Sequence, residues 1–189
     1  MAATPSVMVP LGTPAPDFTL PDAVSGEMKS LRELQGEKGT VVMFICNHCP
    51  YVKHIQKELV AVAKEYIPKG IAFIAINSND PEQYPEDSPE NMKRVAEALG
   101  YPFPYLFDET QEVAKAYQAA CTPDFFVYDA QLRLVYRGQF DDARPGNQEP
   151  VTGKDLRAAL DALLEGRTIP EDQQKPSIGC NIKWRQTGA

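Results

Sequence analysis

Residues 41–50 read Val41-Val42-Met43-Phe44-Ile45-Cys46-Asn47-His48-Cys49-Pro50. The first half is a continuous apolar run, which suits a strand buried on both faces of a sheet. It leads straight into two cysteines separated by two residues, and then a proline. Beyond Pro50, the residues Val52, Ile55, Leu59, Val62, Ala63 and Tyr66 recur at helical spacing, and Pro68-Lys69-Gly70 stops the pattern. Proline fits the first turn of that helix, where no backbone N–H is needed. A second apolar run, Ile71 to Ile76, follows. The order strand, helix, strand predicts a right-handed parallel crossover.

The rest of the chain continues this pattern. Asn77 to Ser88 is a polar loop, long for a compact domain, which makes it a candidate for a functional role. Ser88-Pro89 reads as an N-cap with proline at the first helical position, and Gly100 and Pro102 end that helix near Leu99. Asp108 is placed to cap a further helix carrying Val113, Ala114 and Tyr117. Phe125 to Tyr128 and Leu132 to Arg137 read as strands around a turn at Asp129-Ala130-Gln131, and alternation in the second predicts one wet face. Thr152-Gly153 opens the last helix, with Leu156, Ala159, Leu160, Leu163 and Leu164 on one stripe. Residues 1–14 read as irregular, a hairpin or loop is expected near Ser25-Gly26, and residues 167–189 read as a polar tail. The prediction is a single α/β domain over residues 1–189.

Composition narrows the function classes. A formal net charge of -7 argues against nucleic acid or an anionic membrane as partner. No apolar run approaches the roughly 18 to 20 residues that cross a bilayer. Met1 to Leu20 shows no basic segment followed by an apolar core, so the expected location is cytoplasmic.

Four cysteines, at 46, 49, 121 and 180, could form a disulfide framework in a small secreted protein, but a chain of this size does not need such staples. The pair at 46 and 49 is the informative one. Where a strand turns into a helix, unpaired N–H groups and the helix dipole stabilise a thiolate, the nucleophile of disulfide exchange. This reading makes Cys46 the attacking sulfur at the helix N-terminus and Cys49 the resolving thiol. His48 between them would stabilise the reduced form and tune the couple toward oxidant behaviour. Zinc is the rival chemistry, but structural zinc sites pair one such motif with a second close ligand pair, and His54 would share the helix with the first. The acidic run Glu82 to Glu90 lacks a regular calcium-ligand pattern. No metal is predicted.

Three segments resemble the thioredoxin-like superfamily, near the branch of alkyl hydroperoxide reductases, thiol-specific antioxidants and small redoxins. They are Ala15-Pro16-Asp17-Phe18-Thr19-Leu20, Phe44 to Val52 around the cysteine pair, and Thr122-Pro123. The ending Ser177 to Trp184 is similar to that of a peroxiredoxin-like subgroup. The resemblance implies a central mixed β-sheet flanked by helices, with an N-terminal extension and a C-terminal tail. It implies a cis Pro123 facing the cysteines and presenting a backbone edge to an extended peptide. It also places Cys121 beside the active site, where a small packing residue is favoured over a third redox thiol. Cys180 falls where some peroxiredoxins keep a resolving cysteine, which would pair with Cys46 or Cys121, but an inert or structural thiol is the favoured reading. Departures are Met43 and Gly39, where peroxiredoxins carry a hydroxyl residue and a proline, and Ile45 and Thr40, where thioredoxin has a tryptophan and a buried acid.

The leading expectation is therefore a thiol–disulfide oxidoreductase that exchanges with protein or small-molecule thiols and is recharged by a thioredoxin or glutathione system. It needs no organic cofactor, because the electrons travel on sulfur. A hydroperoxide reductase with Cys46 peroxidatic, and a binding module or redox sensor, are the alternatives. Asp141, Asp142, Arg144, Gly146 and Asn147 are read as a solvated loop.

Overall fold

The computed structural model describes residues 3–186. Along the chain, β1 (Ala3–Pro5) is followed by the hairpin strands β2 (Thr19–Pro21) and β3 (Met28–Ser30), then a helical turn α1 (Leu31–Leu34). Strand β4 (Gly39–Phe44), helix α2 (Pro50–Tyr66) and strand β5 (Ile71–Asn77) form the crossover. Helix α3 (Pro89–Leu99), strand β6 (Tyr105–Phe107), helix α4 (Glu112–Tyr117) and the short β7 (Cys121–Thr122) come next. The chain finishes with β8 (Asp124–Asp129), β9 (Leu134–Gly138), α5 (Lys154–Leu164) and β10 (Ile178–Asn181).

The main sheet has the order β6-β5-β4-β8-β9. β4 pairs parallel to β5 and antiparallel to β8, so the sheet is mixed, as expected. Successive side chains of a strand point to opposite faces. Val41 and Met43 accordingly pack in one core with Val52, Leu59, Leu156 and Leu160, while Val42 and Phe44 pack in a second with Leu31, Tyr117 and Phe126. With helices on one face and the α1–α4 side covering the other, every residue of β4 is buried. That double burial is why the sequence shows no alternation there. On α2, full burial of Val52, Ile55 and Leu59 contributes about 1.5–3 kcal/mol per side chain.

The predicted helix caps are present. The Ser88 hydroxyl accepts from the Asn91 N–H at 3.3 Å, and Gly100 closes α3 in the left-handed conformation at φ 64°. The Asp108 carboxylate accepts from the Val113 and Ala114 N–H groups at 3.4 and 2.9 Å. Asp141 takes the N–H groups of Thr152 and Gly153, both at 2.8 Å, so that loop is organised by its own acid.

Three expectations need correction. Residues 1–14 are not wholly irregular: Ala3–Pro5 is a strand. The polar tail carries a strand as well: β10 pairs antiparallel with both β1 and β7 in a second sheet of order β1-β10-β7. The wet face expected for the strand at Leu132 to Arg137 is confined to its start, where Arg133 is exposed and Val135 half-buried, and closes at Arg137, which is 3% exposed. Its guanidinium bonds to Gln174 Oε1, to the Val9 carbonyl and to Glu171, all supplied by the two ends of the chain. Alternation marked a face that the sheet leaves open and the termini then cover.

The tail is seated backbone against backbone. A Cβ at Gly179 would lie 1.9 Å from the Thr122 carbonyl oxygen, a collision that only a shift of β10 or β7 relieves. Gly179→Ala is therefore expected to cost about 1–3 kcal/mol in urea unfolding and to speed alkylation of the buried cysteines. An unchanged midpoint with unchanged alkylation would show that β10 does not rest on this backbone.

Candidate active site

The candidate active site forms where β4 ends. The Ile45 N–H extends the ladder to the Ile76 carbonyl at 3.0 Å, after which the chain turns through Cys46, Asn47 and His48 into α2. The N-cap of α2 is Cys49, not Cys46. Its carbonyl accepts from the N–H groups of Val52 and Lys53 at 3.1 and 2.9 Å. The sequence reading had put the first sulfur at the helix N-terminus. In the folded chain the helix begins one turn later, and the second sulfur occupies that position.

Across from the pair stands the Thr122–Pro123 peptide bond, which is cis. Thr122 Oγ1 lies 3.4 Å from Cys46 Sγ, and the Thr122 carbonyl oxygen lies 3.4 Å from Cys49 Sγ. The third sulfur comes from the tail. Cys180 Sγ is 2.6 Å from Cys49 Sγ, on a strand whose Cys180 is paired with Thr122. All four cysteines are buried free thiols. Cys121 is the one that points elsewhere, with its Sγ directed to the Pro123 and Ser177 carbonyls at 3.7 and 4.0 Å, and burial pushes its pKa up. Sequence reasoning had offered Cys46 or Cys121 as the partner of Cys180; the neighbour is Cys49.

A set of polar side chains from the loop after β5 underlies the pair. The Asp87 carboxylate accepts from the Asn47 N–H at 2.7 Å and from the side-chain amides of Asn77 and Asn79 at 3.2 and 3.1 Å. It also forms a close ion pair with His48 Nδ1. The His48 ring stacks on Tyr84 with centroids 5.2 Å apart and planes 7° from parallel. Asn47 is held in turn by the Glu86 carbonyl and the Tyr105 hydroxyl, each at 2.8 Å. Asp87, Asn77, Asn79 and Tyr84 were missed from the sequence. The only signal was the length and polarity of residues 77–88, at the carboxyl end of a parallel strand.

The electrostatics separate the two sulfurs. For Cys49, hydrogen bonding from the Cys46 thiol is the largest influence; it outweighs burial, is assisted by Cys180, Thr122 and the Val52 N–H, and brings the pKa down to about 5. Burial pushes the Cys46 pKa well up, and the hydrogen bond to Cys49 and the Asp87 charge add to this. His48 is raised chiefly by its hydrogen bond to Asp87. Burial acts to raise Asp87, but the bonds from His48, Asn47 and Asn79 prevail and hold it low. The site thus favours a thiolate on Cys49 and an imidazolium on His48. Asp124, next to Pro123, is fully buried, and burial outweighs hydrogen bonding from the Ala120 and Phe125 backbone to raise it well above the usual carboxylate range.

Cys46, His48 and Asp87 are the group among the described residues whose potential metal-ligand atoms all lie within 4.8 Å of one another. The His48–Asp87 bond already engages Nδ1 and one carboxylate oxygen of that set. Beside them, a cavity of about 660 Å³ opens to solvent, lined by His48, Lys53, Glu86, Asn91 and Arg94 among others.

A mixed five-stranded sheet with helices on both sides, a Cys-x-x-Cys at the β4–α2 junction and a cis proline facing it define a thioredoxin-fold chain. Residues 11–137 match the AhpC/TSA family, and the chain belongs to that family. The thiol-disulfide oxidoreductase ResA of Halalkalibacterium halodurans is 32% identical over 124 residues, covering 66% of this chain and 65% of that protein. ResA of Geobacillus thermodenitrificans is 29% identical over 129 residues, 67% of each chain. The crystal structure of an uncharacterized conserved protein from Geobacillus kaustophilus is 64% identical and superposes with a TM-score of 0.97 over 100% of this chain and 99% of that one. A thiol:disulfide interchange protein of Chlorobium tepidum shares the fold at 22% identity and a TM-score of 0.62, over 81% of this chain and 97% of that one.

The ion pair sets a pH dependence. A raised His48 contributes stability that is complete below about pH 6.5 and is lost as pH rises through its folded pKa. A lowered Asp87 contributes stability present above about pH 4 and lost as pH falls through its folded pKa. The pair therefore stabilises most between these limits. Asp87→Asn is expected to lower the His48 pKa in an NMR titration and to cost about 3 kcal/mol near pH 6, because both side chains are at least nine-tenths buried. A His48 titration that does not move would exclude Asp87 as its charge partner.

Proposed function

We propose that the chain is a thiol–disulfide oxidoreductase that cycles Cys46 and Cys49 between dithiol and disulfide. It exchanges with thiols or disulfides of proteins or small molecules and takes its electrons from a thioredoxin- or glutathione-type system. The observation that carries this reading is the placement of Cys49. It caps α2 beside the cis Pro123, with its sulfur 3.4 Å from the Thr122 carbonyl oxygen and 2.6 Å from Cys180 Sγ, and its pKa is brought down to about 5.

On this reading Cys49 takes the attacking role that the sequence reading gave to Cys46. Cys49 carries the thiolate and attacks a sulfur of the incoming disulfide; the substrate S–S bond breaks and its other sulfur leaves as a thiol. Cys46 then gives up its proton and attacks Cys49 Sγ, closing the Cys46–Cys49 disulfide and releasing the second substrate thiol. The reverse sequence oxidises a substrate dithiol. The His48 imidazolium favours the thiolate on Cys49, which makes the couple more oxidising. Peroxide reduction at Cys46 draws no support from the site, because burial and the Asp87 charge both oppose a thiolate there.

Trapping decides between the two orders. In a Cys180→Ser background, Cys46→Ser is expected to accumulate a mixed disulfide with a protein disulfide substrate, whereas Cys49→Ser forms none and loses turnover. Accumulation in Cys49→Ser alone would restore Cys46 as the attacking sulfur. Full turnover in both variants would remove the couple from the mechanism.

A further inference from the structure

The sulfur of Cys180 is held in place by contacts that do not involve sulfur. β10 is clamped on one side by β1, with reciprocal Ser6–Ser177 contacts at 2.8 and 2.9 Å, and on the other by β7. Past β10, the Ile182 N–H donates to the Ala120 carbonyl at 3.1 Å and the Lys183 N–H to Asn79 Oδ1 at 2.8 Å. The strand thus occupies the backbone edge beside Pro123 that an extended substrate peptide would use. It presents a cysteine to Cys49 as such a peptide would. Cys180 Sγ sits 2.6 Å from Cys49 Sγ, longer than a disulfide bond of about 2.05 Å but within attacking distance.

We propose that Cys180 is a third redox thiol of this protein, which takes the disulfide over from the Cys46–Cys49 pair to form a Cys49–Cys180 bond. The inference rests on the Cys46/Cys49 couple proposed above. In the step, the Cys180 sulfur, having lost its proton, attacks Cys49 Sγ of the Cys46–Cys49 disulfide. The Cys49–Cys180 bond forms, the Cys46–Cys49 bond breaks, and its electron pair stays on Cys46, which takes up a proton. Two thiols and one disulfide are exchanged within the chain, so no outside oxidant or reductant enters.

The reduced site opposes a thiolate on Cys180. Burial and then the neighbouring Cys49 raise its pKa to about 12, against the charge of Lys183. Once Cys49 is in a disulfide its negative charge is gone, while Lys183 remains, so oxidation of the pair itself eases the Cys180 proton away. The product has a defined shape: β10 is tied covalently over the Pro123 edge, and Cys46 is the thiol left over. A reductant that opens the Cys49–Cys180 bond returns all three sulfurs to thiols.

Peptide mapping tests this directly. Trypsin places Cys46 and Cys49 together on residues 39–53 and Cys180 on residues 168–183. A disulfide within the pair is therefore a loop in one peptide, while the transferred bond joins two. The protein is oxidised through a graded thiol/disulfide buffer, acid-quenched, alkylated and digested. The expected result is a 39–53/168–183 linked species in wild type that persists in Cys46→Ser, disappears in Cys49→Ser, and is replaced wholly by the loop in Cys180→Ser. A wild-type protein that yields only the loop at every potential, with Cys180 alkylated throughout, overturns the third thiol and leaves the couple standing. Persistence of the link in Cys49→Ser overturns it as well, by assigning the bond to Cys46. Absence of the loop in Cys180→Ser defeats the couple, and the transfer with it.

Discussion

The arrangement depends on the burial of β4 from every direction. Its edges are bonded to β5 and β8 and its faces are covered by the two cores, so its end point is fixed in space. The cysteine pair hangs from that end. A strand with a free edge would let the turn through Asn47 and His48 drift, and the sulfur geometry would drift with it. Instead, three segments distant in sequence meet at one point: the start of α2, the Thr122–Pro123 loop that leads into β8, and the loop after β5. Each leaves the sheet from β4 or one of its two bonded neighbours.

Around that point the site manages negative charge. Three sulfurs and one carboxylate lie close together in a buried volume, where charge is costly unless it is paired or hydrogen-bonded. The carboxylate charge is confined to Asp87, which three donors and His48 satisfy. Of the two sulfurs of the pair, Cys49 is the one at the helix N-terminus, and hydrogen bonding draws its pKa down. Cys46 lies close to Asp87, and burial pushes its pKa up.

The tail changes what the proline edge means. In a bare thioredoxin-fold domain that edge would be open to a partner peptide. In this chain it is paired with β10, and the N-terminal strand β1 locks β10 from outside. A second strand and the tail cannot hold the same backbone groups of β7 at once. Gly179 is the residue that permits the close pairing, since the Thr122 carbonyl occupies the space of a side chain there.

Local chemistry was legible in the residues themselves. The β4–α2–β5 crossover, the Ser88 and Asp108 caps and the cysteine pair each depend on neighbours within a few positions, and periodicity or cap chemistry reports them. The resemblance supplied Thr122-Pro123, whose place opposite the pair no spacing reveals. Which sulfur caps α2 was not legible, because a shift of one turn in the start of a helix leaves its apolar stripe unchanged. Nor was the pairing of His48 with Asp87, 39 residues on, or of Cys49 with Cys180, 131 residues on. An acid in a polar loop and a cysteine in a polar tail carry no mark of their partners. The sequence by itself determined that a strand would deliver two cysteines to a helix start. Only the tertiary structure decided which of them caps the helix and which third sulfur it meets, because both depend on groups that folding brings in from far along the chain.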